Sequence, residues 1–597
     1  MKVLHYKIKR QEIRINVARA MWDLDRFIDF IEANPVLGYD TETTGLDWWN
    51  SDRGFRIRLA QFGNGVESWV LPVEIDPEFK AAAIWALRKA RWLIAHNGTF
   101  DQHVSERTLG VPLEELAPKM FDTKIFAHLV DPRQVKEGGP GLKLEELIKH
   151  YIDPVAAEEV KGSMTQIAKR YKVKKADIWP VVETFDPEFL LYAGMDPIWA
   201  YRLLHILLSK VPARSKAKGL MGWEHRLAHV TAKMERTGYL VDEEYAELRI
   251  AELKAEEARW VAYASQWVEN VNSDKQLIEA FQRLGFKLTK KTAKGNLSMD
   301  SEVLDSIDHP LAEAVKKATK AQKWRKTWFE NALNGRDSEG RVHPSINSIQ
   351  ARTARMSITG SVPAQTFPAG TGYVRNMFLA EEGHVSVSID FGNMELRFLA
   401  AESRDPVMMD AFLNNKDLHQ ITADAAGVGR KTGKMANFLT VFGGGWKALM
   451  QQAGIDEKTA RRTINAFNET YTWVGKLSKK LMAEAKRYGY IYTVTGRRLP
   501  VDKSRAYSAL NYYIQSGSRD ITARAVLNLD KAGFTPWIRL VIHDEIVFSF
   551  PKERAKELTE QAARIMEFTV KGVLIPAEGE IGDRSWGSIL DLEDSKH

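Results

Sequence analysis

The sequence predicts a multidomain chain of α/β and α+β architecture, and three observations carry that expectation. Its 597 residues correspond to about four domains of ordinary size, so several separate cores are expected. Short strand-like segments alternate with helical ones up to about residue 205. From about 215 to 335 the pattern becomes long, charged and helical, as in GWEHRLAHVTAKMERTG and EEYAELRIAELKAEEARWVAYASQW. Strand signals then return on both sides of a mainly helical middle, about 400 to 490. No internal repeat, low-complexity tract or long Gly/Ser or Pro linker marks the boundaries, so they follow from pattern alone.

Composition narrows the classes. The net charge of +7 and pI near 9.0 favour a polyanionic partner without identifying one, because 27% of the residues carry charge of mixed sign. Cysteine is absent, which excludes disulfides and thiolate zinc sites and fits a reducing compartment. The N-terminus, MKVLHYKIKRQEIRI, alternates charged with apolar residues and contains no apolar core, so neither a signal peptide nor a membrane span is expected there. A soluble, intracellular protein follows.

In the first third, VLGYDTE reads as a strand whose period of two puts Asp40 and Glu42 on one face, and two adjacent acids suggest a metal. IRLAQFG and VESWVLP join through Gly63, Asn64 and Gly65, a hairpin signal, so three antiparallel strands are expected first. AAAIWALRKA supplies a helix and RWLIAH a fourth strand. NGTFDQHV opens the next helix with Asp101 in its first turn. Further on, FLLYAGMDPIWAYRLL sets Tyr192 and Asp196 four apart on one helical face. Pro197 removes a helical N–H and crowds the carbonyl of Ala193, which predicts a kink. Taken singly, each acid is equally well a surface or capping residue.

Near the C-terminus, RLVIHDEIVFSF carries His543, Asp544 and Glu545 at the centre of an apolar run. Unpaired carboxylates out of water cost several kcal/mol each, so the tripeptide belongs at a solvated turn, in an ion pair or on a metal. Its β-prone flanks predict a hairpin with the acids at the tip, and a wet tip explains them without any metal. Upstream, VSVSID alternates strictly, burying Val385, Val387 and Ile389 and placing Asp390 with Ser386 and Ser388, before a helix at MELRFLAAE. A carboxylate ending one strand opposite a tip bearing two more suits a two-metal phosphoryl-transfer site. Between them, RKTGKMANFLTVFGG as a helix aligns Arg430, Lys434, Phe438 and Phe442 at four-residue intervals. Two cations followed by two rings suit a nucleoside triphosphate, whereas a core stripe with snorkelling cations is the plainer reading.

DTET, NGTFD and YAGMD resemble the three motifs of the DEDDy 3′ to 5′ exonucleases, in order and spacing. The resemblance implies an RNase H-like fold in which Asp40, Glu42, Asp101 and Asp196 hold two divalent ions and Tyr192 orients the attacking water. Oxygen-only ligands favour Mg²⁺ or Mn²⁺ over zinc. DFGNMELR, the RKTGKMANFLTVFG helix and VIHDE resemble motifs A, B and C of the family A (DNA polymerase I-like) DNA polymerases. ARTARMS with Arg355, DLHQITA with His419, and NYYIQ with Asn511 and Gln515 stand in the same order as supporting elements. This second resemblance implies metal ligation by Asp390 and Asp544, with Glu545 as an auxiliary acid and His543 near the primer end. Arg430 and Lys434 would meet the triphosphate, Phe438 the sugar and base, and Glu395 with Phe442 the wall against the sugar 2′ position. Gly392 and Asn393 stand where the family often has Ser and Gln, Thr353-Ala354-Arg355 replaces TGR, and the loop from His419 to Arg430 is short.

Together the resemblances cover essentially the whole chain, without the 5′-nuclease domain of some relatives. They imply an RNase H-like exonuclease over 1–210, then a right-hand polymerase. Its thumb would span 211–340, its palm 341–400 and 496–597, and its fingers 401–495, with the motif B helix at about 427–443. KLTKKTAKG, residues 287 to 295, would touch the DNA backbone, although a Lys-rich loop is more often only solvated. No room for a thioredoxin-binding insertion is evident. The expected substrates are deoxynucleoside triphosphates, with two Mg²⁺, or Mn²⁺, per active site. The expected partners are primer-template DNA, a single-stranded 3′ end, and a helicase or single-strand-binding protein, but no membrane. A monomer in a bacteriophage host's cytoplasm is expected, an organelle being the alternative source. Two other readings stand beside this one: an exonuclease whose degenerate polymerase half only binds duplex, and a replication scaffold with neither activity.

Overall fold

The computed structural model describes residues 1–292, 294–368 and 370–590. One residue of the Lys-rich loop, 293, and the last seven of the expected second palm segment lie outside the described residues.

The N-terminal domain is built on a seven-stranded mixed sheet. Ile57–Gly63 is buried along its whole length and pairs antiparallel with both Val36–Thr43 and Glu67–Leu71. Trp92–Ala95 and Met120–Asp122 extend the sheet in parallel beyond Val36–Thr43. The other edge is a hairpin of Lys2–Ile8 and Gln11–Val17, set parallel to Glu67–Leu71. It turns at Lys9, whose φ of 55° lies in the left-handed region. Every residue of its outer strand except Ile8 is at least partly exposed, the mark of an edge.

The helix Pro187–Lys210 lies across this sheet, its N-terminus capped by Asp186 through the amides of Glu188 and Phe189. It continues through Pro197. Strand and helix meet there backbone to backbone: a Cβ at Gly38 would lie 1.9 Å from the Pro197 carbonyl oxygen. Glycine at that position therefore sets how closely Asp40 and Glu42 approach Asp196.

The C-terminal region centres on a four-stranded antiparallel sheet ordered Ile538–Ile542, Glu545–Pro551, His384–Phe391 and Ala577–Ile581. The helix Ala555–Met566 packs on it, and the long, mostly buried helix Ala509–Lys531 packs in turn against that helix. Glu243–Ala264 and Pro310–Lys323 pack side by side and lead to a separate small core that includes Leu277, Phe281 and Val315. A buried ion network ties Leu220–Thr237 to Ala509–Lys531: Arg519 donates to Glu224 at 2.7 Å, and Arg497 bonds both Glu224 and Asp520. Although burial opposes ionisation, the two guanidinium groups hold Glu224 down to about 2.

The two halves are in extensive contact. His103 bonds Glu235 at 2.7 Å and stacks on Trp48 with ring centroids 4.1 Å apart. Trp49 stacks on His343 and donates to the Gly335 carbonyl. Lys124 donates to Asn347 across the same seam.

Candidate active sites

Two acidic sites result. In the first, Asp40 and Glu42 project from Val36–Thr43 and Asp196 from Pro187–Lys210. One carboxylate oxygen from each lies within 4.8 Å of the others, and among the described residues no other cluster of acids and histidines is this tight. Asp101, in the first turn of Thr99–Val104, accepts from the Thr41 hydroxyl at 2.7 Å, so it is fixed to the same strand. Burial, then the neighbouring carboxylates, raise Asp40 and Glu42 well above the usual range. Burial pushes Asp101 to about 7 and also raises Asp196. Tyr192 is raised by burial. A dense, buried, oxygen-only donor set that repels itself this strongly fits hard divalent cations.

A residue that motif reasoning missed completes this site. Lys161, on Pro154–Arg170, bonds Asp196 and stands 4.1 Å from the centroid of the Tyr192 ring. Although burial opposes it, Asp196 and then Tyr192 keep this ammonium above its usual value. The signal for it was a lysine inside the otherwise apolar stripe Ala157, Val160, Met164, Ile167 and Ala168.

The second site forms where Asp390, near the end of His384–Phe391, pairs in register with Glu545. His543 and Asp544 make the two-residue turn between Ile538–Ile542 and Glu545–Pro551. His543 adopts φ 59°, strained for a non-glycine residue. Although Asp390 is exposed, partial desolvation, then Asp544 and Glu545, push it to about 7. Burial raises Asp544 and Glu395, the latter despite its 2.7 Å pair with Arg355. Burial and then Arg355 lower His543. Glu545 turns aside to accept from the Ser388 hydroxyl at 2.7 Å. A cavity of about 180 Å³ is lined by Arg355, Glu395, His543 and Asp544 together with Ser518 and Arg519.

The cation-bearing segment is the helix Arg430–Val441, with Phe442 as its C-cap. Phe438 stacks on Phe442 at 12° between planes, and His419 lies beside Phe438. Gly433 allows this packing, since a Cβ there would meet the His419 carbonyl at 2.6 Å. Arg430 pairs with Asp417 at 2.6 Å, and Lys434 is exposed, with no ion-pair partner among the described residues. Asn511 donates to the Phe442 carbonyl, and Thr353 donates to Gln515. The helix Ala509–Lys531 thus links this group to the acids, because its Ser518, Arg519 and Thr522 line their cavity.

Comparison with known proteins decides the family. Residues 242–588 match DNA polymerase family A and residues 18–212 match a 3′-5′ exonuclease family. The chain belongs to DNA polymerase family A. This family A polymerase carries an N-terminal 3′-5′ exonuclease domain, and 99% of it aligns with DNA polymerases of two mycobacteriophages. It is 44% identical to that of phage L5 and 43% to that of phage D29, covering 99% of each. A DNA polymerase I of Aquifex aeolicus is 28% identical over 93% of the chain and 96% of its own length. The fold matches a structure described as the POL domain of Pol1 from M. smegmatis in complex with DNA primer-template and dNTP. The TM-score is 0.74 at 21% identity, over 96% of this polymerase and 100% of that chain. No helix among the described residues of the polymerase is long and apolar enough to cross a membrane.

Proposed function

We propose that this polymerase extends a primer 3′ end on a DNA template with deoxynucleoside triphosphates, and that its exonuclease site removes mispaired 3′ ends. The reading rests on one observation above all: the register pairing of Asp390 with Glu545 brings Asp390 and Asp544 to the same end of the sheet. Mg²⁺, or Mn²⁺, would be held by Asp390 and Asp544 at one site and by Asp40, Glu42, Asp101 and Asp196 at the other. When bound, such ions supply Lewis-acid activation of the attacking oxygen and neutralise charge on the leaving group.

The chain's own residues do the rest. Lys434 and Arg430 meet phosphate oxygens of the incoming nucleotide, and Lys434 stabilises the departing pyrophosphate. Arg430 must first release Asp417. Phe438 packs on the sugar and base, and Glu395 with Phe442 closes the 2′ side. His543 stands at the primer end, with Glu545 as the auxiliary acid. Arg355, His419, Asn511 and Gln515 fix the surrounding elements and contact nucleotide or DNA. In the other site Tyr192 orients the attacking water. Residues 211–340 act as thumb, 341–400 and 496–597 as palm, and 401–495 as fingers, around primer-template DNA. The chain works as a monomer in the host cytoplasm, beside a helicase or single-strand-binding protein.

The test is separability. Asp544→Ala should lower primer extension by roughly 10³-fold or more and spare degradation of a single-stranded 3′ end, and Asp40→Ala should do the reverse. One substitution abolishing both activities in a folded protein contradicts the reading.

A further inference from the structure

A buried polar chain of Tyr471, Thr422, Asn437 and His419 runs behind the cation-bearing helix. Asn437 is fully buried on Arg430–Val441, on the face it shares with Gly433 and Val441 and away from Arg430, Lys434 and Phe438. Its amide oxygen accepts from the Thr422 hydroxyl at 2.7 Å. Because that hydroxyl has a single proton, Thr422 must in turn accept from the phenol of Tyr471, also at 2.7 Å. The Asn437 amide nitrogen stands 3.0 Å from Nδ1 of His419 and 3.5 Å from the Leu418 carbonyl oxygen. An amide oxygen in that place would face the carbonyl, so the heavy atoms decide which way the amide points. Asn437 therefore donates to a bare Nδ1, and neutral His419 carries its one ring proton on Nε2. Nε2 has no hydrogen-bond partner among the described residues, and His419 lines a cavity of about 210 Å³ together with Asp417 and Arg430.

We propose that Asn437 is a positioning residue for nucleotide binding: held by Thr422 and Tyr471, it fixes His419 as the neutral tautomer whose Nε2–H donates to a phosphate oxygen of the incoming nucleotide. The proposal rests on the assignment of His419 to the nucleotide site. The opposite tautomer would turn a lone pair toward the phosphates and repel them. A second proton on Nδ1 would set N–H against the N–H of Asn437. The charged groups that face the ring are Asp417, Lys434 and Arg430. Burial lowers His419, and the two cations add to that while Asp417 opposes it. The neutral ring thus offers a directed donor beside two cations without adding a third charge, and the choice of nitrogen is made by a residue that never meets the nucleotide.

Nitrogen NMR of full-length protein isotopically labelled at histidine tests this, because protonated and bare ring nitrogens resonate far apart. The signals of His419 are those missing from His419→Gln. The parent should show a protonated Nε2 and a bare Nδ1. Thr422→Val removes the donor that orients Asn437 while keeping nearly the same shape, so the two tautomers should mix. In that variant kcat/KM for deoxynucleotides should fall roughly tenfold, chiefly through KM. Thr422→Ser keeps the hydroxyl and should keep the parent spectrum. Asn437→Leu removes the donor itself, with the same mixing and a loss of roughly ten- to a hundredfold. Should the leucine variant fail to fold, the two Thr422 variants carry the comparison. A mixed or Nδ1-protonated ring in the parent would overturn the proposal, as would an unchanged tautomer in Thr422→Val and Asn437→Leu, or mixing that leaves kcat/KM untouched. His419→Ala separates the two levels: an unchanged kcat/KM in that variant would overturn the assignment of His419 to the nucleotide itself, whatever its tautomer.

Discussion

The two acidic sites of one chain are built in opposite ways. In the exonuclease domain the acids come from a central strand, a short helix and a long helix locked together at Gly38 and Pro197, and their oxygens already converge. In the polymerase domain the carboxylates have different partners: Glu545 accepts from Ser388, Glu395 pairs with Arg355, and Asp390 accepts from the Phe391 amide. Arg430 and Lys434, proposed above to meet the nucleotide, stand on a separate helix, and Arg430 is engaged with Asp417. A closed cluster suits a reaction whose substrate is a single flexible 3′ end. An open one suits a reaction in which each new nucleotide must be admitted and tested before the groups converge. The difference is that the fold alone brings the acids of the exonuclease site together, whereas those of the polymerase site stand apart on separate partners.

Loosening the closed site should have the largest effect. Gly38→Ala forces the strand away from the Pro197 carbonyl, and displacement on the order of 1 Å can cost about 10²-fold in rate. Degradation should fall by that order while extension stays within about twofold, measured on the same preparation. Equal losses in both activities would mean that the strand–helix contact does not set the exonuclease geometry.

The open site is probed at Phe438, which has no hydroxyl to replace a missing 3′ hydroxyl on the incoming sugar. An unpaired polar group costs about 1–3 kcal/mol, so wild type should discriminate against dideoxynucleotides roughly ten- to a hundredfold. Phe438→Tyr should remove most of that penalty and leave deoxynucleotide incorporation nearly constant. The ratio of kcat/KM values in an Asp40→Ala background is the check, and an unchanged ratio would show that Phe438 does not face the sugar.

Acid titration should distinguish the sites as well. Asp101, by burial, and Asp390, by partial desolvation and then Asp544 and Glu545, are each pushed from 3.8 to about 7, so the folded, metal-free chain holds protons that the unfolded chain releases. Stability from these groups is complete below about pH 4 and is lost as pH rises through about 7. In chelator, Tm should therefore fall across that window, and Asp101→Asn should flatten the profile more than Asp390→Asn, because its site is the more closed. Divalent ions should restore Tm most at the alkaline end. A contribution from these acids that grows with pH would contradict the assignment.

The smallest expected effect concerns strain beside the open site. Ala354 sits at φ 66°, in the left-handed region where the family pattern has glycine. That conformation costs about 1–2 kcal/mol for an L-residue, partly offset by the extra unfolded-state freedom of glycine. Loss of the fully buried Ala354 methyl, about 0.8 kcal/mol, offsets most of the remainder, so Ala354→Gly should change stability by less than about 1 kcal/mol in denaturant unfolding, and a larger loss would mean that Ala354 is held for its methyl group.

Much of this was legible in the sequence. Alternation at VLGYDTE and VSVSID placed Asp40, Glu42 and Asp390 on strands, and the flanks of the HDE tripeptide gave its hairpin. Four-residue spacing aligned Tyr192 with Asp196 and Phe438 with Phe442. What escaped depends on tertiary packing. The hairpin Lys2–Ile8 and Gln11–Val17 alternates charge with apolar residues, but that local pattern does not say which sheet edge the strands join. The ion network of Glu224, Arg497, Arg519 and Asp520 joins segments far apart in sequence, so no local motif announces it. Lys161 belongs to the same class: its spacing marks it as buried, but only the fold reveals that it is buried against Asp196.

The most direct test of the contrast between a closed and an open site is Mn²⁺ binding with and without DNA, in Asp40→Ala and Asp544→Ala proteins. Without DNA, Asp544→Ala should bind Mn²⁺ as wild type does, and Asp40→Ala should lose most of it. Primer-template with a non-hydrolysable deoxynucleotide should then restore binding to Asp40→Ala. Strong DNA-free binding that survives Asp40→Ala and vanishes in Asp544→Ala would contradict the account.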